Sequence, residues 1–194
     1  MHIHTTFSTM DSAVVPQQNL DTIDLVRHAD IIGISDHFEH FMPNRYEDYC
    51  DALDAYGFLR GTEVNGHESA PMAAEYDFDY YVYHCWGSEY NDYVEIQRLL
   101  RTNKPVIIAH PYALDTDLNR VPEECYVELN NRYLWRYDWK TMLRPFVNKF
   151  QWVINSDAHQ PNWLNQNYAM RVAEELGISQ TILFEKKEAV AVEF

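Results

Sequence analysis

Cations are scarce in this chain of 194 residues: 15 lysines and arginines stand against 30 aspartates and glutamates, a formal net charge of −15. That balance argues against a protein that tracks a nucleic-acid backbone, since such affinity rests on Lys and Arg neutralising phosphates. Bound divalent cations would offset part of the negative charge locally. Cysteine is scarce too. Cys50, Cys85 and Cys125 form an odd set without framework spacing, which reads as buried, reduced thiols of a cytoplasmic protein. No apolar run approaches membrane-spanning length and no signal peptide is visible, so the expectation is a soluble chain with no membrane partner. Linkers, low-complexity tracts and repeats are also lacking. What remains is 46% hydrophobic and 23% charged residues, an ordinary balance for one globular domain over residues 1–194.

Along the chain, short apolar runs alternate with helical patterns. A helix is expected from about Asn19 to His28, with Leu20, Ile23 and Leu25 facing inward, and then a buried strand at Ile31–Ile34. Tyr46, Tyr49, Cys50, Leu53 and Tyr56 predict a second helix, stopped by Gly57, before a strand ending in Gly61-Thr62-Glu63-Val64. Tyr80–Tyr83 reads as the next strand. Asp92 is placed as the cap of a helix that carries Tyr93, Ile96, Leu99 and Leu100 and stops at Asn103. Further strands are expected at Val106–Ala109, Tyr126–Leu129 and Trp152–Ile154. Asp138 should cap a long helix reaching Phe150, a final helix should run from about Asn162 to Leu176, and Thr181–Phe184 suggests a last edge strand. Strands that alternate with helices imply a parallel sheet.

Chemistry gathers at the strand ends. In an extended segment His2 and His4 point to one side, and two neutral imidazoles converging there suit a transition metal. His2 follows Met1 directly, so either the start is short by a few residues or the first strand is abbreviated. His37, Glu63, His84, His110, Asp157 and His159 each lie just beyond a predicted strand. In a closed β/α barrel those ends share one face, where active sites assemble. An open doubly wound sheet binds at a switch point involving few strands. Six such ends favour an α/β fold of the closed kind, a small distorted (β/α)7 barrel of mostly parallel strands.

HIHTTFS at 2–8, GISDH at 33–37, GTEV at 61–64, His84, AHP at 109–111 and NSDAH at 155–159 resemble, in order and spacing, the polymerase-and-histidinol-phosphatase (PHP) family. The resemblance covers residues 2 to 159 and is strongest to its histidinol-phosphate phosphatase branch. It implies a PHP-like barrel that holds two or three divalent metals, with zinc, manganese or iron suiting the donors, and that hydrolyses phosphate esters. The implied metal ligands are His2, His4, His37 and Glu63 from the first half, and His84, His110, Asp157 and His159 from the second. Glu63 resembles the family's bridging glutamate, and Asp36 would orient His37 from behind. Where the family has a further His or Asp after the paired histidines, this chain has Thr9 and Met10. Asp11 takes that place if the loop shifts by a residue; otherwise the third metal site is weakened or empty.

The mechanism implied is metal-assisted hydrolysis, with Glu63 bridging the ions and Asp157 or His159 orienting the attacking hydroxide or relaying a proton. Arg132 is the foremost candidate to grip the phosphate, because a guanidinium holds two oxygens at once; Arg45 and Arg171 compete with it. His40 and His67 lie in loops on the same side and are within reach of substrate, although solvated loop histidine is the plainer account. Trp86, Tyr112 and Trp163 follow ligand motifs and serve equally as pocket wall or as packing. The leading function is a phosphomonoesterase for a small phosphorylated metabolite, histidinol-phosphate-like. The alternatives are a phosphoesterase for nucleotides or nucleic-acid ends, and a metal-binding module without catalysis.

Overall fold

The computed structural model describes residues 1–187 and 189. Six strands pair in chain order into one all-parallel sheet. They are β1 (Gly33–Ile34), β2 (Leu59–Asn65), β3 (Tyr80–His84), β4 (Val106–Ile108), β5 (Tyr126–Asn130) and β6 (Gln151–Asn155). The helices between them are α1 (Leu20–Val26), α2 (Phe38–Phe41), α3 (Tyr46–Ala55), α4 (Ala70–Ala73), α5 (Tyr90–Leu100), α6 (Trp139–Leu143) and α7 (Asn167–Leu176). The six strands of the sheet curl into a half-barrel. Residues 2–4 make no ladder. Instead Ser35 N–H donates to the Ile3 carbonyl (2.9 Å), His4 N–H to Ala158 (3.0 Å) and Asp157 N–H to His2 (2.8 Å). The segment is too short to pair further, because the chain turns at Thr5–Ser8, where Ser8 N–H donates to the Thr5 carbonyl.

Strand periodicity decides what faces inward. Leu59, Tyr80, Val82, Ile107, Ala109 and Val153 form a separate apolar cluster on the concave face, while their neighbours Tyr81, Tyr83, Ile108, Val127, Trp152 and Ile154 pack with the helices. The Tyr80 ring fills the concave face. A Cβ on Gly61 would lie 2.2 Å from its Cζ, and one on Gly33 2.5 Å from its hydroxyl, so both positions need the absent side chain. Continuing the same period two and four residues along, the concave face carries Glu63 on β2, His84 on β3, Glu128 and Asn130 on β5, and Asn155 and then Asp157 on β6. An apolar floor thus supports a polar layer at the carboxyl ends of the strands.

The helices depart from expectation where local chemistry intervenes. Asn19 caps α1, accepting from Thr22 N–H at 3.0 Å, but Leu25 is 84% exposed and turns to solvent. The helix capped by Asp138 ends at Leu143 and tightens into a 3-10 turn over Arg144–Phe146, because Pro145 has no N–H to continue the ladder. The last helix divides into a 3-10 turn at Pro161–Trp163 and α7, which Gly177 closes at φ 71°. Asp92 lies within α5 rather than capping it. No strand forms at 181–184; Leu183 and Phe184 pack against the apolar floor instead. Among the described residues, no helix is long and apolar enough to cross a membrane.

Candidate metal centre

Five imidazoles surround one carboxylate. Glu63 Oε1 lies 3.0 Å from His2 Nε2, 2.5 Å from His84 Nε2 and 3.9 Å from His110 Nε2, while Oε2 lies 2.9 Å from His37 Nδ1 and 3.4 Å from His4 Nε2. Asp157 enters the same cluster, its Oδ1 3.7 Å from His2 Nε2, 3.6 Å from His4 Nε2 and 3.3 Å from His159 Nδ1. All eight residues proposed as ligands from the sequence, His2, His4, His37, Glu63, His84, His110, Asp157 and His159, therefore meet at one place. All but His2 also border an open cavity of about 410 Å³.

Three overlapping sets offer donor atoms within 4.8 Å of one another: His2, Glu63 and His110; His2, His4 and Asp157; and His4, Asp11, His37 and His159. Each of these could hold a metal ion. Asp11 supplies what Thr9 and Met10 lack, with Oδ2 2.8 Å from His159 Nε2 and 3.4 Å from His37 Nε2. Met10 is 69% exposed. The donor set fits a cation on a second ground: Nε2 of His2 faces Nε2 of His4 at 3.2 Å, and Nε2 of His84 faces that of His110 at 3.2 Å. Ring nitrogens converging in pairs at that distance suit a shared cation, and mixed imidazole and carboxylate suits zinc, manganese or iron.

Sequence reading missed Glu128. It is fully buried on the concave face of β5, and its two oxygens accept from four donors: His2 Nδ1 (2.8 Å), His110 N–H (2.9 Å), Asn130 Nδ2 (2.9 Å) and Asn155 Nδ2 (2.9 Å). The His2 contact puts the proton on Nδ1 and leaves Nε2 free to ligate, as outer carboxylates do in metal sites. A signal was present. An acid in the middle of an otherwise apolar strand must be paired if it is buried. His110 and Asp157 also carry left-handed backbone, φ 22° and 52°, conformations that non-glycine residues hold only when their surroundings enforce them. Here the enforcing bonds are His110 N–H to Glu128 and Asp157 N–H to the His2 carbonyl.

Ionisation follows the same contacts. Burial disfavours the His2 imidazolium, but Glu128, Asp157 and Glu63 outweigh it and hold the group protonated in the metal-free chain. Burial also opposes charge on His37, and Asp11 and Glu63 raise it to about 10. Burial dominates at His110, lowered to about 4, and at His4, which is held well below its usual value. Glu63 lies well below the carboxylate range, its desolvation overcome by His84, His2 and His4. Glu128 falls to about 2, with the charge of His2 outweighing its burial.

The other candidates separate. Asp36 does not touch the His37 ring or border the cavity; its carboxylate accepts from Thr5 N–H, Thr5 Oγ1, Ser8 N–H and Ser8 Oγ at 2.6, 2.6, 3.1 and 2.6 Å. These bonds hold the turn that leads to Asp11. Arg132 borders the cavity, with Nη1 3.3 Å from Asp157 Oδ1 and 3.1 Å from the His159 ring. Arg45 instead lies over the Phe7 ring at 4.6 Å. Arg171 is exposed on α7, a helix outside the cavity wall. His67 is turned away toward the buried Asp92, 2.6 Å from its Oδ1. His40 borders the cavity, as does Trp86, whereas Tyr112 is buried with its hydroxyl held by Asn130. No family model, curated protein or solved structure matches the chain.

Proposed function

We propose that this chain is a metal-dependent phosphoesterase of the PHP type that hydrolyses a small phosphomonoester. The observation that carries this reading is the position of Glu63, whose two oxygens face different sets of imidazoles: His2, His84 and His110 on one side, His4 and His37 on the other. Such a carboxylate would be placed to bridge neighbouring cations, and the set containing Asp11 offers a place for an ion that shares no residue with the set of His2, Glu63 and His110. Bound divalent ions would contribute charge neutralisation at the phosphoryl group and an activated water at neutral pH.

The chain's own groups do the rest. Arg132 presents its guanidinium at the cavity rim, where two N–H groups can grip phosphoryl oxygens. Asp11 and His159, 2.8 Å apart, would with His4 and His37 hold an ion beside the reacting group. Asp157 fixes the His159 ring from the other side. In this reading residues 2–4 stand as the seventh strand of a distorted barrel, supported by the bonds of Ile3 and its neighbours to both sheet edges. Three free, buried cysteines fit a reducing compartment such as the cytoplasm.

Elemental analysis of the purified chain, paired with a phosphomonoester and phosphodiester panel under added manganese and zinc, tests the proposal. Two or three equivalents of metal with phosphomonoester turnover are expected. A chain that takes up no metal and turns over nothing in the panel sinks it.

A further inference from the structure

Behind His84 stands a side chain that takes no part in the cluster itself. Asn65 closes β2 directly opposite His84 in the pairing of β2 with β3, and its Oδ1 lies 3.3 Å from His84 Nδ1 and 3.4 Å from Trp86 Nε1. An indole N–H can only donate, so the Asn65 atom that faces it is the oxygen. The same oxygen faces His84 Nδ1, which therefore carries a proton. Nε2, 2.5 Å from Glu63 Oε1 and 3.2 Å from His110 Nε2, is the nitrogen left to ligate.

The surroundings hold Trp86 where its ring can do this. Asp92, fully buried in the first turn of α5, accepts from Trp86 N–H through Oδ2 and from His67 N–H through Oδ1, both at 2.8 Å. It thereby ties the loop after β3 to the loop after β2, and the Asn65 and His84 pair lies where those two strands end. Gly87 locks the second loop further. Its N–H donates to the Leu114 carbonyl at 2.9 Å, and a Cβ there would lie 1.8 Å from the Asp115 carbonyl oxygen.

We infer that Asn65 and Trp86 are positioning residues for the metal centre: the indole N–H orients the Asn65 amide, and the amide selects the His84 tautomer that presents Nε2 to a cation. The inference rests on the metal-binding part of the phosphoesterase reading and adds to it two residues outside the ligand set. It parallels Glu128 behind His2, with a neutral amide in place of the carboxylate.

Competition of the intact chain against a graded chelator, with zinc as the metal, reads the effect without turnover. Asn65→Leu should weaken one equivalent of zinc by about 10–100-fold, the usual cost of losing an outer partner of a ligating histidine. Asn65→Asp, which keeps an acceptor, should hold that equivalent at least as tightly as the parent chain. Trp86→Phe should weaken it several-fold, the order of the rotamer freedom that one side chain regains, and should add nothing once Asn65→Leu is in place. In the zinc-loaded chain, an NMR spectrum of the imidazole nitrogens should show a protected His84 Nδ1–H signal that Asn65→Leu exposes to exchange. Unchanged zinc affinity in Asn65→Leu, an equal loss in Asn65→Asp, the same cost of Trp86→Phe in both backgrounds, or a His84 proton on Nε2 overturns the inference and leaves the metal centre standing. A parent chain that takes up no zinc overturns both.

Discussion

Glu63 and Glu128 show how two buried acids on neighbouring parts of one concave surface take different work. Glu63 meets only imidazole nitrogens and keeps both oxygens turned to the cluster, whereas every oxygen of Glu128 is spent on protein donors. Glu63→Gln should leave a folded chain whose metal-dependent turnover is lost, since an amide cannot bridge cations; full activity in that variant would remove the bridging role. Glu128→Gln should weaken metal binding by about 10–100-fold, the usual cost of losing an outer carboxylate behind a ligating histidine. Competition against a graded chelator measures it. His37 sets the pH response. It carries a proton in the metal-free chain up to about pH 10, so a metal arriving at pH 8 must displace that proton. Apparent affinity should rise with pH, and unbuffered titration should register acid release. The sign for metal-free stability is opposite: a raised pKa contributes in full below the ordinary histidine value of about 6.5 and fades as pH rises toward about 10. Thermal melts in chelator across that range check it.

At the level of elements, the half-barrel works as a floor and a rim. The apolar floor depends on one large ring fitting two glycines, Gly33 on β1 and Gly61 on β2. Gly61→Ala would force Tyr80 out of place with no flexible end to yield, at a cost of roughly 1–3 kcal/mol for such overpacking. A lowered urea midpoint with unchanged slope would register it; an unchanged midpoint would show that the floor can relax. The rim depends on where strands stop. Glu63 and His84 are still within β2 and β3, but His110 and Asp157 follow β4 and β6 across left-handed residues that turn their side chains inward. The Thr5–Ser8 turn is the remaining support, tied down by Asp36, and it carries Asp11 to His37 and His159.

For the whole molecule, the cluster is a liability that a bound cation would relieve. Burying carboxylates and imidazoles together is costly unless they are paired, and the chain as a whole carries a charge of −15. Binding to the folded state alone stabilises it by about 2.7 kcal/mol when free metal is a hundred times its dissociation constant. For a chain of this length that corresponds to roughly 5–10 °C in Tm. Chelation should lower Tm by that amount and re-addition of manganese or zinc should restore it; a melt indifferent to chelator would mean no tight metal site.

Read alone, the order of residues already determined the alternation of strands and helices, a mostly parallel sheet, and which histidines and acids fall near strand ends, because periodicity and strand-end placement are local properties. It also placed Asn19 as the start of a helix and Gly177 as the end of one, since capping depends on a few neighbouring atoms. Only the tertiary structure decided that residues 2–4 bond to both sheet edges, once to Ser35 and twice to the residues after β6, that Asp11 reaches the cluster while Asp36 is spent on a turn, and that Glu128 stands behind His2. Those outcomes depend on which inward-facing groups a curled sheet brings within 3 Å of one another. That proximity is set by curvature and register between residues more than a hundred positions apart, as with His2 and Glu128, and no local pattern encodes it.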